Sequence, residues 1–201
     1  MDLLTPDAPG IRRAAELLWA GQVVAFPTDT VYGLAALARD DGAVRLVFEV
    51  KGRPSGWPLI LMVAEPGRLE GWAEVDDRAR AYMRRWWPGP LTLVMTARPG
   101  AEPPLTSPGP PPTIAARIPD HPVALALLRA VAEPVATTSA NRSGEPPALT
   151  ALEAAAVSGL AAVLDGGRAP GEVPSTLLDV SGPEVRILRR GPIPEADLLP
   201  Q

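Results

Sequence analysis

Apolar positions along this chain switch repeatedly between helical and extended spacing. Over residues 11–20 (IRRAAELLWA), Ile11, Ala14, Ala15, Leu18 and Trp19 fall on one helical face, and Gly21 follows where a helix should stop. VVAFPT (23–28) reads as a buried strand broken by Pro27, and DGAVRLVFEVKG (41–52) as a helix opened by an aspartate cap. LILMVA (59–64) is a strand pattern. DDRARAYMRRWWPG (76–89) is helical, with acidic residues in its first turn and arginines in its last, the order the helix dipole favours. LTLVMTAR (91–98) then predicts a strand that leads into a proline-rich loop over 99–112. Beyond it TIAARIP, VATTSAN, AAVLDGG, STLLDV and VRILRR predict strands, with PVALALLRAVA and LTALEAAAV as helices between some of them. This alternation predicts an α/β fold, an open mixed sheet with flanking helices. Neither a repeat nor a linker divides the chain, so one domain is expected over 1–201.

Composition narrows the chemistry. With 201 residues, 46% of them hydrophobic, the chain can bury a substantial core, and its formal net charge of −4 argues against a protein that coats nucleic acid or an anionic membrane. Cysteine is absent, which removes disulfides, thiol catalysis and thiolate metal sites, and a single histidine, His121, makes a histidine-based metal site a poor fit. The N-terminus lacks the basic-then-apolar order of a signal peptide, so a cytoplasmic location is expected. Proline is abundant at 26 residues, and Lys51 is the one lysine among 19 basic residues.

Stock catalytic patterns are missing: GxxxxGK[ST], GxGxxG after a strand, HExxH and GxSxG do not occur. A Ser-His-Asp triad would have to use His121, which in PDHP reads better as the start of a helix whose first residue is Pro122. What remains are short polar clusters at strand ends or in the turns after them, where ligands of open α/β sheets bind. PTDTVYGL (27–34) gathers Thr28, Asp29, Thr30 and Tyr32; KGRP supplies Lys51 and Arg53; TIAARIPDHP offers Thr113 and Arg117. TTSANRSG (137–144), PSTLLD (174–179) and LRRG (188–191) complete the set. Taken singly, each is an ordinary cap, turn or solvated charge.

In order and spacing, PTDTVYGL, KGRPxxxPL, WPGPLT, TIAARIPDHP, TSANRSG, PSTLLD and ILRRG resemble the YrdC family, the threonylcarbamoyl-AMP synthases, over about residues 10–193. The resemblance implies a YrdC-like fold with a concave, positively charged cavity. It also implies a nucleotidyltransferase that condenses L-threonine, bicarbonate or CO2, and ATP into threonylcarbamoyl-AMP and pyrophosphate. The product would supply a tRNA threonylcarbamoyl transferase complex that forms N6-threonylcarbamoyladenosine; direct contact with tRNA is left open. The chain ends soon after ILRRGPI, so the additional C-terminal domain of longer family members is not expected.

An anionic carbamate attacking a polyanion needs its charge neutralised, held in place and kept dry. Lys51 and Arg53, two apart in extended chain, would pair a compact charge with a rigid fork, and both suit phosphate oxygens. Ser139 and Asn141, also two apart, would place a hydroxyl and an amide on the same side of the crevice. By resemblance these four form the catalytic, nucleotide-facing set, and Thr113 and Arg189 match further ATP positions. Arg117 is the candidate for the threonine carboxylate, which a guanidinium binds through two parallel hydrogen bonds; Thr30, Thr137 and Ser175 match positions lining the threonine pocket. Thr28, Asp29, Tyr32 and Trp57 are candidate lining residues. Magnesium is expected to come with ATP, with no metal site built from protein alone.

Two positions depart from the family pattern. Trp57 stands where the family more often has a polar or basic residue, and Met62 has no polar group where some relatives do. The alternatives are a YciO-like or carbamoyl-transfer paralogue with another acceptor, and a non-catalytic RNA-binding module. The module reading is opposed by the acidic composition and few aromatics.

Overall fold

Three helices begin at an aspartate whose carboxylate accepts a hydrogen bond from a backbone N–H in the first turn. The computed structural model describes residues 1–52, 57–101, 105–171 and 173–199. In it Asp7 caps α1 (Ala8–Trp19), Asp40 caps α2 (Asp41–Lys51) and Asp76 caps α3 (Asp77–Trp86). His121 stands at the cap position of α4 (Pro122–Val131) without a side-chain hydrogen bond, and Thr150 and Glu153 form a reciprocal capping box on α5 (Ala151–Ala155). The first helix starts before the stretch that periodicity marks, because Asp7 and Pro9 supply the cap and a preset φ ahead of the apolar face.

The strands are β1 (Asp2–Leu4), β2 (Val24–Phe26), β3 (Gly33–Leu37), β4 (Ile60–Met62), β5 (Leu91–Thr96), β6 (Thr106–Ser107), β7 (Thr113–Arg117), β8 (Val135–Ser139), β9 (Ala162–Leu164), β10 (Thr176–Asp179) and β11 (Arg186–Arg189). They form one mixed sheet in the order β1-β9-β2-β3-β8-β4-β7-β5-β10-β11, with β6 paired to β7 off that path. β4 runs parallel to β7 and β5 parallel to β10, whereas β3/β8, β4/β8, β5/β7 and β10/β11 are antiparallel. The expected α/β architecture with a mixed sheet is what the chain adopts. Three strands lay outside the sequence reading: β1, β3 within and beyond the PTDTVYGL turn, and β6 inside the proline-rich stretch.

Side-chain parity divides the sheet into two unequal faces. Ala25, Leu34, Ala36, Leu61, Leu93, Met95, Ile114, Ala116, Ala136 and Leu178 point to one side, and pack with residues of α2, α3 and α5 into the larger core. On the other side Val24, Phe26, Ala35, Leu37, Met62, Val135, Ala162 and Leu164 pack under α1 and α4. That second cluster takes nothing from β5, β7, β10 or β11. Helices cover this face only as far as β4, and the same face continues past them to the β11 edge.

Candidate active site

On the uncovered part of that face lies a cavity of about 650 Å³. Thr137, Thr138 and Ser139 of β8 line it, with alternate residues of the strands beyond: Ile60 and Met62 of β4, Thr113, Ala115 and Arg117 of β7, Val94 of β5, and Leu177 and Asp179 of β10. Strand β11 breaks the alternation. Leu177 pairs with Arg189 but Leu178 pairs with Ile187, so Leu188 is an extra residue in a β-bulge. Leu188 and Arg189 therefore both line the cavity, together with Arg186.

Arg117 anchors one end. It is 2% exposed, and Nε donates to the Gly89 carbonyl at 2.9 Å, Nη1 to Thr30 Oγ1 at 3.0 Å, and Nη2 to Asp29 Oδ1. Burial pushes its pKa down from the usual arginine value, and the Asp29 carboxylate pushes back. Three of its five N–H groups are thus held by protein, which fixes the plane of the fork. The turn before β3 is set by Thr28, whose hydroxyl accepts from the N–H groups of Thr30 (3.1 Å) and Val31 (3.2 Å) and donates to the Val31 carbonyl (2.6 Å). That geometry points Thr30 at Arg117. Asp29 Oδ2 is buried with no hydrogen-bond partner among the described residues. His121 Nδ1 is in the same condition; burial pulls the His121 pKa below the ordinary value, against the pull of Asp29 and Asp120.

Beside this end, Ser175 sits under the β11 edge. Arg189 donates to the Ser175 carbonyl from Nε (3.1 Å) and Nη2 (3.0 Å), and Nη2 also reaches Ser175 Oγ at 3.2 Å. Gly191 makes the approach possible, since a Cβ there would lie 2.3 Å from the Thr176 nitrogen and 2.7 Å from the Pro174 oxygen. At the other end of the strands, Asp179 binds Ser181 through Oδ1 and Arg186 through Oδ2, at 2.9 Å from the latter's Nη2. Burial raises the Asp179 pKa, but these hydrogen bonds and the guanidinium outweigh it and hold the carboxyl below its ordinary value.

Lys51 differs from the expectation of an extended Lys-x-Arg pair. It is the last residue of α2, followed by Gly52 in the left-handed conformation, and is 4% exposed. Its ammonium donates to the Ser139 carbonyl (2.7 Å), Ser139 Oγ (3.1 Å), Asn141 Oδ1 (2.8 Å) and the Asn141 carbonyl (3.3 Å). Helix end and strand end are thus joined through one cation. Arg53 lies outside the described residues. Asn141 falls beyond the end of β8, so the strand alternation that put it beside Ser139 does not apply. Its amide nitrogen donates to the carbonyls of Arg142 and Glu145, and it lines a neighbouring depression instead of the main cavity. Ser139 lines the cavity.

The remaining candidates divide similarly. Thr113, Thr137 and Trp57 line the cavity; Thr137 Oγ1 donates to the Ile60 carbonyl at 2.9 Å, and Trp57 is 67% exposed at the rim. Tyr32 also lines it, but its hydroxyl donates to the Gly167 carbonyl (2.7 Å) and accepts from Gly166 N (3.2 Å), and burial raises its pKa. Ser107, Asp179, Arg186 and Leu188 are lining residues that sequence reading missed. Ser107 was hidden in the proline-rich stretch, and a bulge leaves no mark in apolar periodicity. Among the described residues no group of three or more His, Asp or Glu side chains could hold a metal ion, and no helix is long and apolar enough to cross a membrane.

Residues 16–191 match the Sua5/YciO/YrdC family model, described as telomere recombination. Threonylcarbamoyl-AMP synthase of Bacillus subtilis is 43% identical over 195 residues, which cover 96% of this chain and 56% of that protein. The structure of Pyrococcus abyssi Sua5 complexed with L-threonine superposes with a TM-score of 0.89 at 35% identity, covering 98% of this chain and 59% of the other. Escherichia coli YciO gives a TM-score of 0.87 at 25% identity, covering 98% of both chains. The chain thus spans little more than half the length of the B. subtilis and P. abyssi proteins.

Proposed function

The chain belongs to the Sua5/YciO/YrdC family, and we propose that its cavity makes threonylcarbamoyl-AMP from L-threonine, bicarbonate or CO2, and ATP. The observation that carries this reading is a buried, three-point-held guanidinium, Arg117, sharing one cavity with the hydroxyls of Thr30 and Ser175 and with Ser139, which Lys51 binds. Such an end suits an amino acid. The two N–H groups that Arg117 does not spend on Gly89, Thr30 and Asp29 are enough for one carboxylate, in the parallel geometry guanidinium prefers. Small hydroxyls nearby would read the threonine side chain, and a pocket built to hydrogen-bond a hydroxyl rejects valine because polar groups are left unpaired. Support comes also from the L-threonine in the P. abyssi Sua5 structure.

The triphosphate would run toward the Ser139 end, where Lys51 adds positive charge and Thr113 a hydroxyl, while Arg189, bonded to Ser175 at the amino-acid end, faces the cavity from β11. In the reaction, threonine's amine nitrogen bonds to the carbon of CO2 and gives up a proton to solvent, leaving an anionic carbamate. One carbamate oxygen then attacks the α-phosphorus, the bond to the bridging oxygen breaks, and pyrophosphate leaves with that electron pair. The protein's share is alignment of two anions and neutralisation of their charge. Magnesium would arrive with ATP, on phosphate oxygens and water. Asp179, the one carboxylate among the described lining residues, is already held by Ser181 and Arg186. A cytoplasmic location and a product passed to a tRNA-modifying transferase accompany this reading.

The test is incubation with ATP, threonine and radiolabelled bicarbonate. A labelled adenylate, with pyrophosphate released in equal amount, is expected; product no higher than in a control without amino acid would end the synthase reading. The close superposition on E. coli YciO carries a second reading, the same cavity serving another acceptor. Under that reading nucleotide still binds but threonine does not.

A further inference from the structure

The segment Trp87-Pro88-Gly89-Pro90-Leu91-Thr92, whose Gly89 carbonyl holds Arg117, touches both polar anchors of the amino-acid end. The Gly89 carbonyl accepts from Arg117 Nε at 2.9 Å. Two residues into β5, Thr92 Oγ1 lies 2.7 Å from Ser175 Oγ. Backbone bonds fix the segment against both neighbouring strands: Gly89 N donates to the Ile118 carbonyl and Thr176 N to the Pro90 carbonyl, each at 2.9 Å. Gly89 has no room for a side chain, since a Cβ would come within 2.5 Å of the Trp86 oxygen.

Thr92 has the parity of the cavity face, between the core residues Leu91 and Leu93, but is 0% exposed and is absent from the lining. It lies behind Ser175. A buried hydroxyl proton is destabilising without an acceptor, and the only hydrogen-bond partner of Thr92 Oγ1 among the described residues is Ser175 Oγ. Thr92 is therefore the donor. Ser175 Oγ then accepts from Thr92 and from Arg189 Nη2, at 2.7 and 3.2 Å, and both of its lone pairs are filled. Its own proton is left to point into the cavity that it lines.

We propose that Thr92 is a positioning residue for the amino-acid substrate: by donating to Ser175 it makes that serine an obligatory hydrogen-bond donor toward the cavity. The same segment, through Gly89, sets the plane of Arg117, so one rigid stretch spaces a serine donor and a guanidinium for a single anionic ligand. This rests on the reading that the pocket takes threonine. Thr92→Val keeps the shape and removes the donor, freeing the Ser175 hydroxyl to turn; Thr92→Ser keeps the donor.

The experiment measures threonine and ATP affinities separately by calorimetry, with steady-state KM and kcat, for the wild type and the Thr92→Val, Thr92→Ser, Ser175→Ala and Thr92→Val/Ser175→Ala proteins. Thr92→Val is expected to weaken threonine about tenfold and ATP less than twofold, and Thr92→Ser to stay within threefold of wild type. The double variant should be no worse than Ser175→Ala, because Thr92 acts through that hydroxyl. Equal losses for both substrates, additive losses in the double variant, or failure of Thr92→Ser to restore threonine affinity would overturn the proposal. If Thr92→Val does not fold, the direction of the bond is read in the wild type by NMR. A slowly exchanging Thr92 hydroxyl proton coupled through space to Ser175 is expected, and a Ser175 proton directed at Thr92 overturns it. A wild type that binds ATP but no threonine overturns the threonine reading and this role with it, whereas intact wild-type binding with an indifferent Thr92→Val overturns only the role.

Discussion

Lys51 is buried at the junction of a helix end and a strand end, where an ammonium can fan its three donors among the oxygens of Ser139 and Asn141. A guanidinium could not, because its donors are confined to a plane. Lys51→Met should therefore cost about 1–3 kcal/mol in denaturant unfolding through the stranded Asn141 carbonyl, since the Ser139 carbonyl still accepts from Asn141 N, and should weaken ATP more than threonine. Lys51→Arg should not restore either. Arg117→Lys is the complementary change: the charge stays but the fork is lost, and a threonine KM at least tenfold higher, with ATP affinity nearly unchanged, is the expected outcome in the labelled-adenylate assay. His121 gives a pH dependence. Its folded pKa lies below its ordinary value because of burial, so between the two the unfolded chain binds the extra proton and stability falls as pH drops. His121→Gln should flatten the denaturation midpoint below about pH 6.5, the ordinary histidine value, relative to wild type. Much of this was visible in the sequence as residue types at strand ends. The partners were not: the helix pattern over 41–52 reaches Lys51, but nothing in the string KGRP names the Ser139 and Asn141 oxygens that its ammonium binds, and nothing in WPGPLT says that its threonine lies behind a serine eighty-three positions later.

At the scale of elements, the strands with alternating or β-branched patterns and the helices with capped apolar faces were legible, and the exceptions have physical causes. β3 is buried along its whole length, so GLAAL has no polar alternation to reveal it. β6 is two residues long and held by β7, a tertiary pairing that local propensity cannot report. The bulge in β11 arises from its register against β10, and it brings adjacent residues to the same face where a regular strand would separate them. The return of the chain after β11 depends on Gly191. Gly191→Ala forces a Cβ into the backbone of residues 174–176, and a loss of about 1–3 kcal/mol in thermal or denaturant melts is expected. Because that backbone carries Ser175, affinity for threonine should fall as well.

For the whole molecule, the decisive feature is that α1 and α4 stop short of covering their face of the sheet. If ATP and threonine bind only the folded chain, each supplied at a hundred times its Kd should add about 2.7 kcal/mol. For a chain of this size that corresponds to a rise in Tm of roughly 5–10 °C per ligand, which a melting curve would register. No rise with threonine but a rise with ATP would match the YciO-like reading. Order and spacing of the motifs carried the family, while the cavity's outline needed the strand order, since β8 and β11 are far apart in sequence and bound the same space.

That half-covered face also separates two properties that most enzymes keep entangled. Trp57 and Leu188 stand at the cavity's rim, exposed and outside both core clusters. Substitutions at such positions usually shift stability by no more than about 0.5 kcal/mol. Directed evolution could therefore redraw what this pocket accepts by randomising its rim while the two cores continue to fold the chain, so a library confined to those positions should lose few members to misfolding.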